Sequence, residues 1–290
     1  MSQRHVALIT DTTACIPREH IERYRIEIVP ARIVIDEKIV LDTIDITAAQ
    51  FYSRLRSSST IPRSLAPSIE SYLEAITRAA KRASHIICVM PPAIFSSLSE
   101  AERSELVFHA ERLSGNKTIF LSGPASAAGQ GLTVIAMARA AADGLSYDRV
   151  TRVYHSVSNK VHMFAAPDTL DYLAKSGRVP NFASIAGSLL NIKPVLHING
   201  TDIKPVAYPI SMEGAINRMV KAMQSGLHHS DKLRIAIMHA DAFKTATLMK
   251  EAILERFTCL EWFITEFTPV MGVHTGPGLV GVAYFTDDNA

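Results

Sequence analysis

The sequence is poor in cysteine. Cys15, Cys88 and Cys259 are the three in 290 residues, far apart and odd in number. That excludes a disulfide framework, and no Cys or His spacing of a zinc site accompanies them. The expectation is reduced thiols in a cytoplasmic protein, with no metal and no cofactor. Charge of one sign is lacking too. Thirty basic against 28 acidic residues leave a formal charge of +2, which gives no electrostatic footprint for nucleic acid. Long apolar runs are missing: no stretch approaches the ~20 residues that span a bilayer. Met1-Ser2-Gln3-Arg4-His5 runs straight into a short apolar strand, without the apolar core and cleavage site of a signal peptide.

Familiar catalytic signatures are absent as well. There is no P-loop, no H-E-x-x-H and no G-x-S-x-G elbow. Gly276-Pro-Gly-Leu-Val-Gly281 matches a dinucleotide pattern by letter, but it precedes a strand instead of opening a helix. A tight turn bringing backbone close to another group is the better reading. His239-Ala-Asp241 reads as a structural hydrogen-bonding pair at a strand end, and His228-His229 as a surface loop.

What is present suits a globular protein: 48% hydrophobic and 20% charged residues. The first half alternates β-branched runs with helical patterns, as in a parallel sheet wrapped by helices. Strands are expected at 6–9, 28–35, 85–90 and 118–121, and helices at 17–24, 68–81, 129–142 and 146–158. Thr47-Ala-Ala-Gln50 and Ser99-Glu-Ala-Glu102 are capping boxes. In the second half, strands are expected at 161–165, 235–239, 262–267 and 280–285. Helices are expected at 168–175 (closed by Gly177), 212–223 and 242–257, and a hairpin turning on Asn199-Gly200 at 195–207. The fold class is α/β with two domains, 1–160 and 161–290, the first a parallel sheet flanked by helices and the second a smaller α/β domain.

Five segments, in order, carry a resemblance. They are Ile9-Thr-Asp-Thr-Thr13; Ile28-Val29-Pro30 with Ile61-Pro62 through Pro67; Leu173-Ala-Lys-Ser-Gly-Arg178; Leu189-Leu-Asn-Ile-Lys-Pro-Val-Leu196; and His274-Thr-Gly-Pro-Gly278. Together they resemble the DegV family, whose corresponding motifs are T-D-S-T, T-S-Q-P, L-x-K-G-G-R, I-K-P-I and H-T-G-P-G. The resemblance implies a long-chain fatty acid in a buried apolar tunnel at the domain interface, its carboxylate held by polar groups. It also implies that some members present that carboxylate to a separate ATP-dependent kinase subunit, with no catalytic residue of their own.

Carried over position by position, the resemblance places Arg178, His274 and Thr275 near the carboxylate. Arg178 would offer charge, or else serve as an interdomain salt bridge or helix cap. His274 would donate an N–H, or else stabilise its loop. Ser64, Ser96 and Ser97 are further lipid-site candidates. Three segments depart from the family. Arg63 stands where a small residue is usual. Pro91-Pro92 replaces the serines of S-S-x-L-S-G-T, and Ser122-Gly123 loses the acid of a D-S pair. Arg63 is either a direct carboxylate partner replacing the lost hydroxyls or a solvent-facing loop residue. Two other functions stand beside lipid binding. One is a hydrolase or transferase acting on an acyl or phosphorylated small molecule, with Ser64, Ser96 or Ser97 as nucleophile and His274 as base. The other is a regulatory member with a collapsed tunnel.

Overall fold

The computed structural model describes residues 4–58, 60–114, 117–176, 192–200, 202–228 and 230–287. The protein is a mixed α/β chain of two units, Met1–Asp45 with Pro62–Asn159, and Ile46–Ile61 with Lys160–Ala290.

In the first unit, β1 (Arg4–Asp11) leads through α1 (Arg18–Tyr24) to β2 (Glu27–Val29). Pro17 opens the helix with φ −59°, where its missing N–H costs nothing. The apolar run at 28–35 splits into two strands. Pro30 has no N–H for a ladder, so β2 ends and β3 (Arg32–Ile35) starts a small antiparallel sheet. Its neighbours are β4 (Lys38–Leu41) and β5 (Arg63–Leu65). Then come α3 (Ile69–Ala80), β6 (Ala83–Met90), α4 (Glu100–Ser114), β7 (Thr118–Ser122), α5 (Ala127–Ala142) and α6 (Tyr147–Ser158).

The main sheet runs β2-β1-β6-β7, and every pairing in it is parallel. Tyr72, Ala75, Ile76 and Ala79 of α3, with Leu106 and Ala110 of α4, bury the face of Ile9, Cys88 and Met90. Gln130 of α5 lies on the opposite face, where its Nε2 donates to Thr10 Oγ1 at 2.9 Å. Both α1 and α6 pack with α5. The connections leaving β1 and β6 therefore run over opposite faces. The carboxyl ends of these two strands flank a topological switch point, where open α/β sheets take ligands.

The second unit is built on a mixed sheet. Its strands are β8 (His162–Ala166), β9 (Val195–Asn199), β10 (Asp202–Ala207), β11 (Lys232–His239), β12 (Thr258–Glu266) and β13 (Val280–Thr286). They are ordered β10-β9-β8-β13-β11-β12, with only the β11–β12 pair parallel. The expected Asn-Gly turn is shifted by one residue. Asn199 pairs with Asp202, so Gly200, at φ +62°, takes the first central position. One face of the sheet packs on α8 (Met212–Ser225) and α9 (Phe243–Leu254). Ile216, Met219, Ala246 and Met249 there meet Val282, Ile235 and Ile237.

The unit division differs from a cut at residue 160 in one segment. Helix α2 (Ala48–Ser57) carries the expected capping box, with Gln50 N donating to Thr47 Oγ1 and Thr47 N to Gln50 Oε1. It buries Phe51, Tyr52 and Leu55. Tyr52 Oη donates to Phe267 O at 3.1 Å. An added Cβ on Gly272 would lie 2.8 Å from both aromatic rings. That apolar stripe fixes the segment to the second unit, although it stands early in the chain.

Candidate ligand site

The carboxyl end of the parallel sheet concentrates buried polarity. Asp11, the last residue of β1, is 2% exposed. Its Oδ1 accepts from Thr13 N at 2.9 Å and from the Thr13 hydroxyl, and its Oδ2 accepts from Tyr72 Oη at 3.3 Å. Burial pushes the Asp11 carboxyl above its ordinary range, against these three donors. Burial likewise raises the Tyr72 hydroxyl and the Cys88 thiol, with the Asp11 charge adding to both. Arg103 enters the same cluster from α4, its Nη1 3.9 Å from Sδ of Met90, the last residue of β6.

In the sequence, Asp11 stands within a motif and Tyr72 in a helical stripe, and neither pattern marks a ligand; Arg103 belongs to no motif. The usable signal is spacing: 103, 106 and 110 fall on one helical face. Leu106 and Ala110 are fully buried, so a charge stands at a core-facing position.

The predicted site residues fall in both units. Arg63 is exposed on β5 opposite Val34, and Ser64 is partly buried opposite Ile33. Ser96 follows the short turn after β6, and its Oγ accepts from Leu98 N at 3.1 Å; Ser97 is exposed. In the second unit the H-T-G-P-G segment begins inside a helix, α10 (Pro269–Thr275), not in a loop. His274 is partly buried in its last turn. Thr275 is buried, its Oγ1 3.2 Å from Met271 O and 3.3 Å from Gly276 O, so its hydroxyl proton serves the backbone. Arg178 and the closing Gly177 lie outside the described residues.

The glycines after α10 behave as a close-approach turn. Gly276 has φ +67° and ψ 177°, a region essentially reserved for glycine. A Cβ there would lie 2.1 Å from the Tyr172 ring of α7 (Asp171–Lys175), and one on Gly278, at φ +91°, 2.5 Å from Asp168 Cβ. The expected His239–Asp241 pair is replaced by separate partners: His239 Nδ1 accepts from Ala242 N at 3.3 Å, while Asp241 pairs with Arg56. Among the described residues no cluster of three potential metal ligands exists.

The mixed sheet has a second face. Leu196, Ala165, Gly281 and Met238 form one row across it, and Ile198, Met163, Ala283, Ala236 and Phe263 the next. Leu196 and Ile198 meet Leu170 and Leu173. Ala165, Ala236, Met238 and Ala283 are buried without belonging to the helix-packed core. Small side chains thus floor the centre of this face.

A doubly wound parallel sheet with a polar carboxyl end, followed by a mixed sheet with one helix-packed face, defines a two-unit α/β protein. The chain belongs to the DegV family: the model described as "Uncharacterised protein, DegV family" matches residues 5–287. A DegV domain-containing protein of Clostridium acetobutylicum is 27% identical, over 98% of this chain and 99% of its own length. Among solved structures, the fatty acid binding DegV family protein of Streptococcus agalactiae is 25% identical. It superposes with a TM-score of 0.82 over 99% of this chain and all of its own. A DegV family protein from Thermus thermophilus, described for its fatty acid binding, shares the fold with a TM-score of 0.88 at 20% identity. That match covers 98% of this chain and 100% of the other. No described helix is long and apolar enough to cross a membrane.

Proposed function

We propose that this protein binds a long-chain fatty acid in a buried apolar tunnel and holds the carboxylate with polar side chains, as a carrier without catalysis of its own. The observation that carries the reading is the floor of small side chains on the mixed sheet. Ala165, Gly281, Ala283 and Ala236 set small, apolar, buried residues in two adjacent rows at the centre of that face. A hydrocarbon chain suits that surface because each buried methylene is worth about 0.8 kcal/mol, offset in part by the entropy of association. Family membership and the Streptococcus agalactiae relative support the same ligand class. A buried carboxylate needs donors around it. Arg63, Ser64, Ser96, Ser97, Arg178 and His274 are the head-group candidates that the family motifs supply, while Thr275, the seventh motif position, gives its hydroxyl proton to the backbone. Phosphorylation of the acid would fall to a separate kinase subunit, to which this chain presents the carboxylate.

Mass spectrometry of the denatured, freshly purified protein tests the reading. A stoichiometric long-chain acid is expected. Recovery of the bare chain, together with no binding of hexadecanoic acid to the delipidated protein, would overturn it. Charge reversal by Arg63→Glu is expected to weaken that binding more than tenfold. An unchanged affinity returns Arg63 to the solvent-facing role.

A further inference from the structure

We propose that Arg103 is the cationic partner of the ligand's carboxylate, receiving it at the carboxyl end of β6. The inference rests on the fatty-acid reading and adds a residue outside the family's head-group motifs.

Arg103 leaves α4 on its buried face, in line with Leu106 and Ala110. Its Nη2 is buried and makes no hydrogen bond among the described residues. Among the described residues its Nη1 reaches only the Met90 thioether, a weak acceptor. A guanidinium cannot shed its charge, so a buried N–H of this kind calls for an acceptor, preferably an anion.

The nearby acid does not supply one. Asp11 spends Oδ1 on the amide and hydroxyl of Thr13 and Oδ2 on Tyr72. Burial also drives that carboxyl toward its protonated form, which reduces its repulsion of a second carboxylate. The positive charge of Arg103 is felt at both Tyr72 and Cys88, where it opposes the upward push of burial. The guanidinium therefore belongs to the cluster at the β1–β6 switch point, where the fold takes ligands. A planar carboxylate accepting from the guanidinium fork matches the need in charge and shape. The sequence around it agrees. Pro91 and Pro92 offer neither hydroxyl nor amide hydrogen, so those two positions supply no donor to a head group at this strand end.

The test compares hexadecanoic acid with 1-hexadecanol on the delipidated full-length protein. The two ligands share a tail and differ in charge. Wild type is expected to bind the acid at least tenfold more tightly than the alcohol. Arg103→Met is expected to lose at least tenfold for the acid and to hold the alcohol within twofold. An acid-to-alcohol ratio unchanged in Arg103→Met overturns the role of Arg103 while leaving fatty-acid binding intact. Failure of wild type to bind either ligand overturns the fatty-acid reading and this inference with it. Should Arg103→Met not fold, Arg103→Lys bound to carboxyl-13C hexadecanoic acid decides the matter. A carboxyl resonance displaced from its wild-type position supports direct contact, and an identical one refutes it.

Discussion

Each unit holds a titratable side chain in its sheet, and burial shifts the two in opposite directions. The first buries an acid. Asp11 is enclosed at the end of β1, and burial raises its pKa above the ordinary 3.8. The second half-buries a base. His197 on β9 stacks on Phe164 with ring centroids 4.7 Å apart, and its Nε2 is buried without a hydrogen bond among the described residues. Burial lowers its pKa below 6.5; His162 and Lys204 lower it further, while Asp202 opposes them. The difference is one of surroundings. Asp11 is wrapped by three donors at a switch point, which is what a binding site requires. His197 has no donor network and contributes mainly ring surface to the apolar sheet. Burial alone does not mark function; burial together with converging polar groups does.

The comparison assumes that the units can be perturbed separately, and the largest expected effect tests that. Gly276→Ala forces a glycine-only backbone region and drives a methyl group into the Tyr172 ring. A loss of about 3 kcal/mol or more is expected from strain and overpacking together. Chemical denaturation gives the magnitude, and hydrogen exchange gives the location. Lost protection is expected in α7, α10 and β13, with β1 and β6 spared. Equal loss in β1 and β6 would make the chain one cooperative block and dissolve the comparison. Pairing Gly276→Ala with Tyr172→Ala should restore only the steric part, because the strained φ remains.

A second effect sharpens what the mixed sheet contributes. Ala283→Leu raises the floor of its small-residue face beside Met163 and Ala236. Hexadecanoic acid binding should weaken more than tenfold, or about 1.4 kcal/mol, with decanoic acid affected less. Equal losses for both chain lengths would place the tail elsewhere. Thr47→Ala comes next. It removes the hydroxyl that accepts from Gln50 N in the capping box of α2, at a cost of about 1 kcal/mol. The loss should appear in the second unit, since Phe51 and Tyr52 pack there. Loss confined to β1 and β6 would contradict the division.

Periodicity exposed most of the fold. The capping boxes at Thr47 and Ser99 have the predicted hydrogen bonds, because a cap is decided within four residues. Pro30 shows the limit. A single apolar run reads as one strand, and only the sheet partners reveal that it serves two sheets. Helix α2 was legible as a helix but not by its destination, which depends on residues more than 200 positions away. The site was less legible still. Motif matching reached His274 and Thr275 but not the fact that Thr275 Oγ1 is committed to backbone carbonyls. Asp11, Tyr72 and Arg103 come from three separate elements, and no local pattern announces that they converge.

The smallest expected effect tests the opposite signs directly. The folded chain holds the Asp11 proton more tightly than the unfolded chain does. Stability from this group therefore falls as pH rises from about 3.8 through the folded-state pKa. For His197 the unfolded chain takes up the proton more readily, so stability falls as pH drops from 6.5 through its lowered folded value. Asp11→Asn should gain on wild type between pH 4.5 and 7.5. His197→Phe, which keeps a ring against Phe164, should gain on wild type between pH 7.5 and 5. Urea midpoints at these pH values measure both differences. The histidine change should be the smaller, because His197 is partly exposed and solvent screens its charge. If both variants shift in the same direction as pH rises, burial is not what separates the two sites, and the contrast between an enclosed acid and a half-buried base fails.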